Sequence, residues 1–321
     1  MSADVEEMDL LARLDHPEVE QRQLALMALE EVVSPAAVER LVSAVSDQDP
    51  TVRRLAVALL EDLGDGRAAQ ALIEALEDSD PAVREASASA LRELRDDSAA
   101  GALLAGARHP NPVVRGAVLV ALRERRDPRA LSPLIDALRD PVPEVRREAV
   151  VSLAYLRDGQ AVPALRAILD DPDARVRRLA IGALASVAPP VATGALGDVL
   201  VSALRDPDWQ VRAEAAIVLG RIGDRAASPS LVDSLSDPFW QVVKEAVVAL
   251  GKLRTVEAAP ALIPLLAGTN ADLRRVSATA LAELGARAAI PPLLALLDDA
   301  DVDVKKSAAR ALAALQIDDT S

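Results

Sequence analysis

A spacing of 31 residues governs this chain, because one short pattern returns at that interval along its whole length. The pattern is easiest to see in "DPDWQVR" and "DPFWQVV", where Val211 and Val242 stand at the same place. Ten such anchors align, and every interval is 31 residues except one of 35 between Val176 and Val211. The anchors are Gln21, Val52, Val83, Val114, Val145, Val176, Val211, Val242, Leu273 and Val304. A fixed period of this length is the signature of a repeat array.

Two leucine positions test this alignment independently. A Leu stands eight residues after every anchor and eleven residues before every anchor, in all ten repeats. For the repeat anchored at Val211 these residues are Leu219 and Leu200. The repeats are numbered 1 to 10 along the chain, and positions within them are counted from the anchor.

Each repeat predicts two helices joined by an acidic turn that contains proline. The second helix has apolar or small residues at 0, +4, +7, +8 and +11, which form one face at about 100° per residue. In repeat 5 they are Val145, Ala149, Ser152, Leu153 and Leu156. Gly64 and Gly223 follow second helices and suit left-handed C-caps. No segment alternates with a period of two, so no strand is predicted.

Such a pair of helices cannot bury its apolar face alone, and stacking on neighbours makes one continuous core. The chain is 51 % hydrophobic but only 1 % aromatic, which suits thin, closely packed helices. The predicted fold is therefore all-α: a right-handed α-solenoid of about ten two-helix repeats, with residues 1–321 as a single array. The longer interval contains Pro189 and Pro190, which must end a helix. It predicts a bend at 187–199, dividing residues 1–188 (repeats 1–6) from 189–321 (repeats 7–10).

The unit "DPxxxVRxxAxxALxxL" resembles the short HEAT repeat, in the variant named after phycobilisome-lyase-like proteins. The resemblance covers essentially the whole chain. It implies that an Asp of the turn and an Arg six residues later form a structural ladder between adjacent repeats. The pairs are Asp47/Arg53, Asp78/Arg84, Asp140/Arg146, Asp171/Arg177 and Asp206/Arg212.

Departures from the ladder pattern occur in repeats 1, 4, 8 and 9. His16 and His109 replace the Asp in repeats 1 and 4, Val243 replaces the Arg in repeat 8, and Gly268 replaces the Asp in repeat 9. The di-iron hydroxylases that the family includes need paired His-Glu motifs, and neither His here is followed by Glu. We therefore interpret both histidines as turn residues.

No catalytic residue, cofactor site or metal site is predicted. The chain has no Cys and only two His, and it contains neither a GxSxG motif nor a phosphate-binding glycine loop. The net charge of −14 opposes binding to nucleic acid, which we do not expect as a partner.

No membrane insertion is predicted, although residues 179–197 carry no charge. This stretch contains two prolines and keeps the repeat register on both sides. The acidic beginning "MSADVEEMDLLARLDHPE" has no apolar core and is not a signal peptide. The sequence therefore predicts a cytoplasmic protein.

One face of the second helices in repeats 4–9 combines cations with apolar residues. Position +2 supplies basic residues, and the wheel places it opposite the core, on the inner surface of the superhelix. Position +6 supplies Val120, Val151, Ile217 and Val248, and position +9 supplies small residues such as Gly220 and Gly251. Either this face is a protein-binding groove, or it is buried by tight packing between neighbouring second helices.

Three of the four aromatic side chains lie in the turns of repeats 7 and 8. They could anchor a partner, or they could cover the turn against its neighbour. The candidate partner-binding residues are thus Val120, Val151, Ile217, Val248, Arg147, Arg178, Lys244, Arg275, Trp209, Phe239 and Trp240.

The predicted function is a non-enzymatic scaffold or regulatory adaptor that binds another protein on the inner face of the solenoid. The alternative, which comes from the family resemblance, is a phycobilin-lyase-like enzyme or a chaperone of a tetrapyrrole-bearing protein. The identity of the partner and the oligomeric state stay open at this point.

Overall fold

The computed structural model describes residues 3–187 and 193–317, and within these ranges the chain is helical and has no strand. The all-α prediction is confirmed. The chain forms two compact units, Met1–Asp158 and Gly159–Ser321. The first contains repeats 1–5 and the second contains repeats 6–10. The predicted bend at 187–199 includes residues 188–192, which lie outside the described residues, and it stays a prediction.

The first unit consists of five helix pairs, one for each repeat. Its helices are α1 (Ala3–Ala12), α2 (Val19–Leu29), α3 (Val38–Ala44), α4 (Pro50–Leu63), α5 (Ala69–Ala75), α6 (Pro81–Glu93), α7 (Ala99–Gly106), α8 (Pro112–Arg125), α9 (Leu131–Ala137) and α10 (Pro143–Leu156).

The second unit repeats this arrangement, and four of its first helices continue into short 3-10 segments. Its helices are α11 (Val162–Ala167), α12 (Ala174–Val187), α13 (Thr193–Ala203), α14 (Trp209–Ile222), α15 (Ser228–Asp233), α16 (Trp240–Leu253), α17 (Ala259–Leu262), α18 (Ala271–Glu283), α19 (Ile290–Ala295) and α20 (Val302–Ile317).

The acidic turns begin the second helices by capping them. The Asp49 side chain accepts hydrogen bonds from the backbone N–H groups of Thr51 and Val52, and Pro50 occupies the first helical position. Asp80 and Asp208 cap α6 and α14 in the same way. Since the first N–H groups of a helix have no partner within it, this carboxylate supplies one.

Glycine or arginine ends several second helices in the left-handed conformation. Gly64 has φ 58° and Gly223 has φ 76°, as the sequence predicted. Arg126, Arg157 and Arg254 occupy the same position with φ 50°, 55° and 50°. A left-handed backbone costs arginine more than glycine, but its charge lies near the negative end of the helix dipole and offsets part of that cost.

The implied ladder is present, and each rung joins the turns of two successive repeats. The Arg53 guanidinium donates from Nε and Nη2 to the two carboxylate oxygens of Asp78, at 2.6 and 2.7 Å. Its Nη1 donates to the backbone carbonyl of Asp47, at 2.9 Å. The carboxylate partner is therefore the Asp of the next repeat, while the Asp six residues earlier contributes its carbonyl. The same bidentate pair forms in Arg22–Asp47, Arg115–Asp140, Arg177–Asp206, Arg212–Asp237 and Arg274–Asp299.

This register explains the departures from the repeat pattern. Val243 and Gly268 stand at the two ends of one rung, between repeats 8 and 9, so donor and acceptor are missing together. Val243 is buried there instead. His109 Nδ1 accepts a hydrogen bond from the backbone N–H of Asn111, as Asp78 Oδ1 does from Asp80. His109 is thus a turn residue that supplies the turn hydrogen bond of the aspartate, as predicted, but it offers no carboxylate to Arg84 of repeat 3.

Glycines at position +9 let second helices approach closely in the second unit. A Cβ on Gly220 would lie 2.8 Å from Ala249 Cα, and one on Gly251 would lie 3.1 Å from Ala280 Cα. Both distances are shorter than normal contacts. At these two positions, the tight-packing interpretation is correct.

We expect Gly220→Ala and Gly116→Ala to have opposite effects on stability. Gly220→Ala should lower the free energy of unfolding by about 1–3 kcal/mol, because the methyl group overpacks the contact with α16. Gly116 lies within α8 with nothing within 4 Å of the added Cβ. Gly116→Ala should therefore raise the free energy of unfolding by about 0.5–1 kcal/mol, because alanine has a higher helix propensity than glycine. Urea unfolding measures both changes, and destabilisation by both would contradict this account.

Restoring both ends of the missing rung should produce favourable coupling. Val243→Arg alone places a guanidinium in a buried site with no carboxylate opposite, and Gly268→Asp alone supplies the acceptor without its donor. The free energy of unfolding of the double variant should be higher, by about 1–3 kcal/mol, than the value obtained by adding the two separate changes. A double-mutant cycle in urea measures this energy. Val243→Arg with Thr269→Asp, one residue out of register, is the control, and equal coupling in both cycles would contradict the proposed register.

Candidate protein-binding surface

The +6 and +9 positions of the second unit have different surroundings. Ile217 on α14 is 37 % exposed, and Val248 on α16 is partly exposed. Gly220 and Gly251, three residues further along the same helices, are buried. The face formed by positions +6 and +9, which the sequence assigned either to a groove or to helix packing, therefore contains both accessible and packed positions. Position +9 packs one helix on the next, and position +6 leaves apolar side chains accessible.

The first unit presents the same position in its own second helices. Val120 on α8 and Val151 on α10 are both partly exposed. Beside them, Arg147 forms an ion pair with Glu144, one turn earlier on α10. Accessible apolar groups next to a charged rim thus occur in this unit as well.

The cations at position +2 of the second unit each have a polar neighbour. Arg178 Nη1 lies 3.5 Å from Gln210 Oε1, and Lys244 Nζ lies 3.5 Å from a carboxylate oxygen of Glu245. The Arg275 guanidinium lies 3.1 Å from its neighbour Asp272 on α18. The rim therefore mixes charges of both signs. Partly exposed pairs of this kind contribute little to stability, so a carboxylate of a partner can replace the internal one at small cost.

Trp209, Phe239 and Trp240 lie at the turns of repeats 7 and 8 and are called the aromatic edge. The rings of Trp209 and Phe239 are stacked with centroids 5.8 Å apart and an interplanar angle of 11°. Trp209 therefore covers the turn of the next repeat, which is the packing role that the sequence allowed. Phe239 and Trp240 stay exposed, and the contact role is open to them.

A ladder rung supports this aromatic edge. The Arg212 guanidinium carbon lies 5.6 Å from the centroid of the Phe239 ring, within cation–π distance. The same guanidinium holds the carboxylate of Asp237, two residues before Phe239. The position of the Phe239 ring thus depends on an ion pair that joins repeats 7 and 8.

Asp237 is anionic at neutral pH. Burial alone would raise the pKa of its carboxyl group, but the Arg212 hydrogen bonds, the backbone N–H of Phe239 and the charge of Arg212 together lower it below its ordinary value. Asp206 in the preceding rung follows the same balance, with Arg177 as the partner that lowers its pKa.

Tyr155, which is exposed on α10, is not among the candidate residues that the sequence predicts. Its ring lies 5.5 Å from the Arg123 guanidinium carbon and 5.9 Å from that of Arg126. Tyr155 stands at position +10, where no other repeat has an aromatic residue, and that difference is visible in the alignment.

Residues 3–187 and 193–317 contain neither a metal site nor a membrane-spanning helix. No three His, Cys, Asp or Glu side chains converge there to form a metal site. Within the same ranges, every helix is too short or too polar to cross a bilayer.

Comparison with protein families identifies the repeats. The model for HEAT repeats matches residues 7–92, 69–151, 131–201, 197–282 and 259–321. These ranges overlap and extend from residue 7 to residue 321. A search of curated protein sequences finds no significant match.

Two solved structures share the fold. The crystal structure of an engineered protein from a structural genomics consortium is 23 % identical, with a TM-score of 0.52, over 97 % of this chain and 99 % of that one. Kap95p, solved with RanGDP, is 13 % identical with a TM-score of 0.67 over 96 % of this chain. The match spans 49 % of Kap95p, about half its length. At these identities the likeness establishes the fold alone.

The rung beneath the aromatic edge should respond to acid in a defined direction. The pKa of Asp237 is lower in the folded than in the unfolded chain, so its contribution to stability is present above about pH 4 and is lost as pH falls further. Asp237→Asn should lower the free energy of unfolding by about 2–4 kcal/mol at pH 7, because Arg212 stays without its carboxylate. Thermal unfolding of both proteins from pH 7 to pH 3 measures the difference. It should shrink below about pH 4, and a constant difference would contradict the assignment.

Proposed function

We propose that this chain, which belongs to the HEAT-repeat family, is a non-enzymatic scaffold or regulatory adaptor that binds another protein in the cytoplasm. The observation that carries the proposal is the accessibility of Ile217 and Val248 beside the cations of position +2. Stable helical arrays bury apolar side chains wherever packing allows it. Apolar side chains that stay accessible at regular spacing suit a partner rather than the core.

The proposed surface in the second unit has the composition of an interface. Ile217 and Val248 supply apolar contact area, and Arg178, Lys244 and Arg275 supply a rim that can pair with carboxylates. Interfaces generally combine an apolar centre with a polar rim. In the first unit, Val120, Val151 and Arg147 offer the same combination, and we propose them as a contact region of their own.

The aromatic edge is the second part of the proposal. Exposed aromatic side chains are frequent anchors of protein interfaces because they bury a large area with few rotatable bonds. Phe239 and Trp240 meet this description, and Trp209 stacks on the ring of Phe239. The subtype belongs to the proposal as well, since the 31-residue period matches the short repeats of phycobilisome-lyase-like proteins.

The first test is affinity capture from the lysate of the source organism, with the partner identified by mass spectrometry. Wild type is compared with Ile217→Glu/Val248→Glu, which places two carboxylates at the centre of the proposed surface. The expected result is a partner that binds wild type and is lost from the variant, because each buried charge would cost several kcal/mol. Circular dichroism checks that the variant is folded.

Val256→Glu/Leu294→Glu is the matched control, since both side chains are exposed and lie outside the proposed surface. It should retain the partner. Capture that survives Ile217→Glu/Val248→Glu would show that the surface is wrong and would direct attention to the aromatic edge. A change in the absorbance of an added bilin would instead favour the lyase alternative, because a scaffold alone leaves the pigment spectrum unchanged.

A further inference from the structure

The first helix pair holds half of the net charge of the chain. Residues 1–31 contain nine Asp or Glu and two Arg, so their net charge is −7, against −14 for all 321 residues. Both arginines have acidic partners: Arg13 pairs with Asp9, and Arg22 pairs with Asp47. Repeat 1 therefore has a strong negative field that its own cations do not balance.

Helix α2 has a second apolar stripe on the side away from its core. The core side consists of Ala25, Leu26 and Leu29, which are buried. Leu24 and Met27 are each 58 % exposed. They belong to an exposed stripe at helical spacing that consists of Glu20, Leu24, Met27 and Ala28, and Glu31, two residues after the end of the helix, is exposed as well. The apolar residues of the stripe thus lie between two carboxylates.

Helix α1 repeats the arrangement. Its core side includes Leu10, whereas Val5, Met8, Asp9 and Ala12 are exposed at helical spacing. Met8 is 72 % exposed. A helix that is apolar on two faces is normally buried on both. Methionine is also common on surfaces that bind helical segments, because its flexible thioether adapts to different partners.

We propose that helices α1 and α2 are a docking surface for a basic amphipathic helix of a partner protein. The apolar stripes would take the apolar face of that helix, and the carboxylates around them would pair with its Lys and Arg side chains. This surface lies in repeat 1 and is separate from the contact residues proposed above, so it adds a second binding function to the scaffold.

Charge selects this occupant over the others that an apolar surface can take. A second copy of the chain would bring the same excess of carboxylates, and like charges at an interface oppose association. Nucleic acid and anionic lipid are repelled for the same reason. A cationic helix satisfies the apolar stripe and the acidic rim together.

The probe is a synthetic peptide of about 18 residues, or five helical turns, with Leu on one helical face and Lys on the other. A scrambled peptide of the same composition separates amphipathic binding from attraction by charge alone. Binding of the labelled peptide to the full chain is followed by fluorescence anisotropy. Two variants address the two components: Leu24→Gln/Met27→Gln removes apolar area, and Glu20→Lys/Glu31→Lys reverses charge. All four side chains are exposed, so both variants should fold.

Wild type should bind the amphipathic peptide at least about tenfold more tightly than the scrambled one, and more weakly as salt rises. Each variant should weaken binding by about tenfold or more. Leu294→Gln/Leu297→Gln, an exposed leucine pair in the second unit with the same spacing, is the matched control and should bind as wild type does.

Three results would overturn the proposal. Wild type could fail to discriminate between the two peptides, or Leu24→Gln/Met27→Gln could bind as wild type does. Light scattering could also show a dimer that this variant converts to monomer, in which case a second copy occupies the surface. If the capture experiment finds no partner for the surface around Ile217 and Val248, this proposal is unaffected, because the peptide assay does not depend on that surface.

Discussion

The bidentate pair between an arginine of one repeat and an aspartate of the next is the interaction on which the rest depends. Arg53 holds the Asp78 carboxylate with two hydrogen bonds and its own turn with a third. Each rung therefore fixes two turns against one another, and the turns fix where the second helices begin. The +6 residues and the aromatic edge inherit their spacing from this contact, since both lie at set distances along the chain from a rung.

Most of the fold was predictable because a repeat presents the same physical problem ten times. The leucines at −11 and +8 identify the core, and Asp49 and Gly64 mark where α4 begins and ends. The family resemblance added the ladder. In contrast, the sequence could not show which apolar positions stay accessible. Gly220 and Ile217 lie on the same helix. The structure shows that Gly220 is packed, since a Cβ there would lie 2.8 Å from Ala249 Cα, and that Ile217 is exposed.

Other features depend on local balances that a pattern does not reveal. Arg126 takes a left-handed conformation because ending the helix there and placing its charge near the negative end of the helix dipole together outweigh the backbone cost. An arginine in the sequence does not by itself indicate either effect. Leu24 and Met27 look like ordinary core residues in an apolar run. Their exposure follows from the rotation of α2, whose buried face is set by Ala25, Leu26 and Leu29.

The missing rung makes the junction of repeats 8 and 9 different in kind from its neighbours. Salt and acid act on a guanidinium–carboxylate pair, whereas Val243 and the close approach of α16 and α18 at Gly251 depend on dispersion and the exclusion of water. The hydrophobic contribution to stability becomes smaller on cooling. The junctions with rungs should therefore loosen first at low pH, and the junction between repeats 8 and 9 should loosen first in the cold. Among repeats 7 to 10, this junction thus responds to temperature, whereas the two junctions beside it respond to protons.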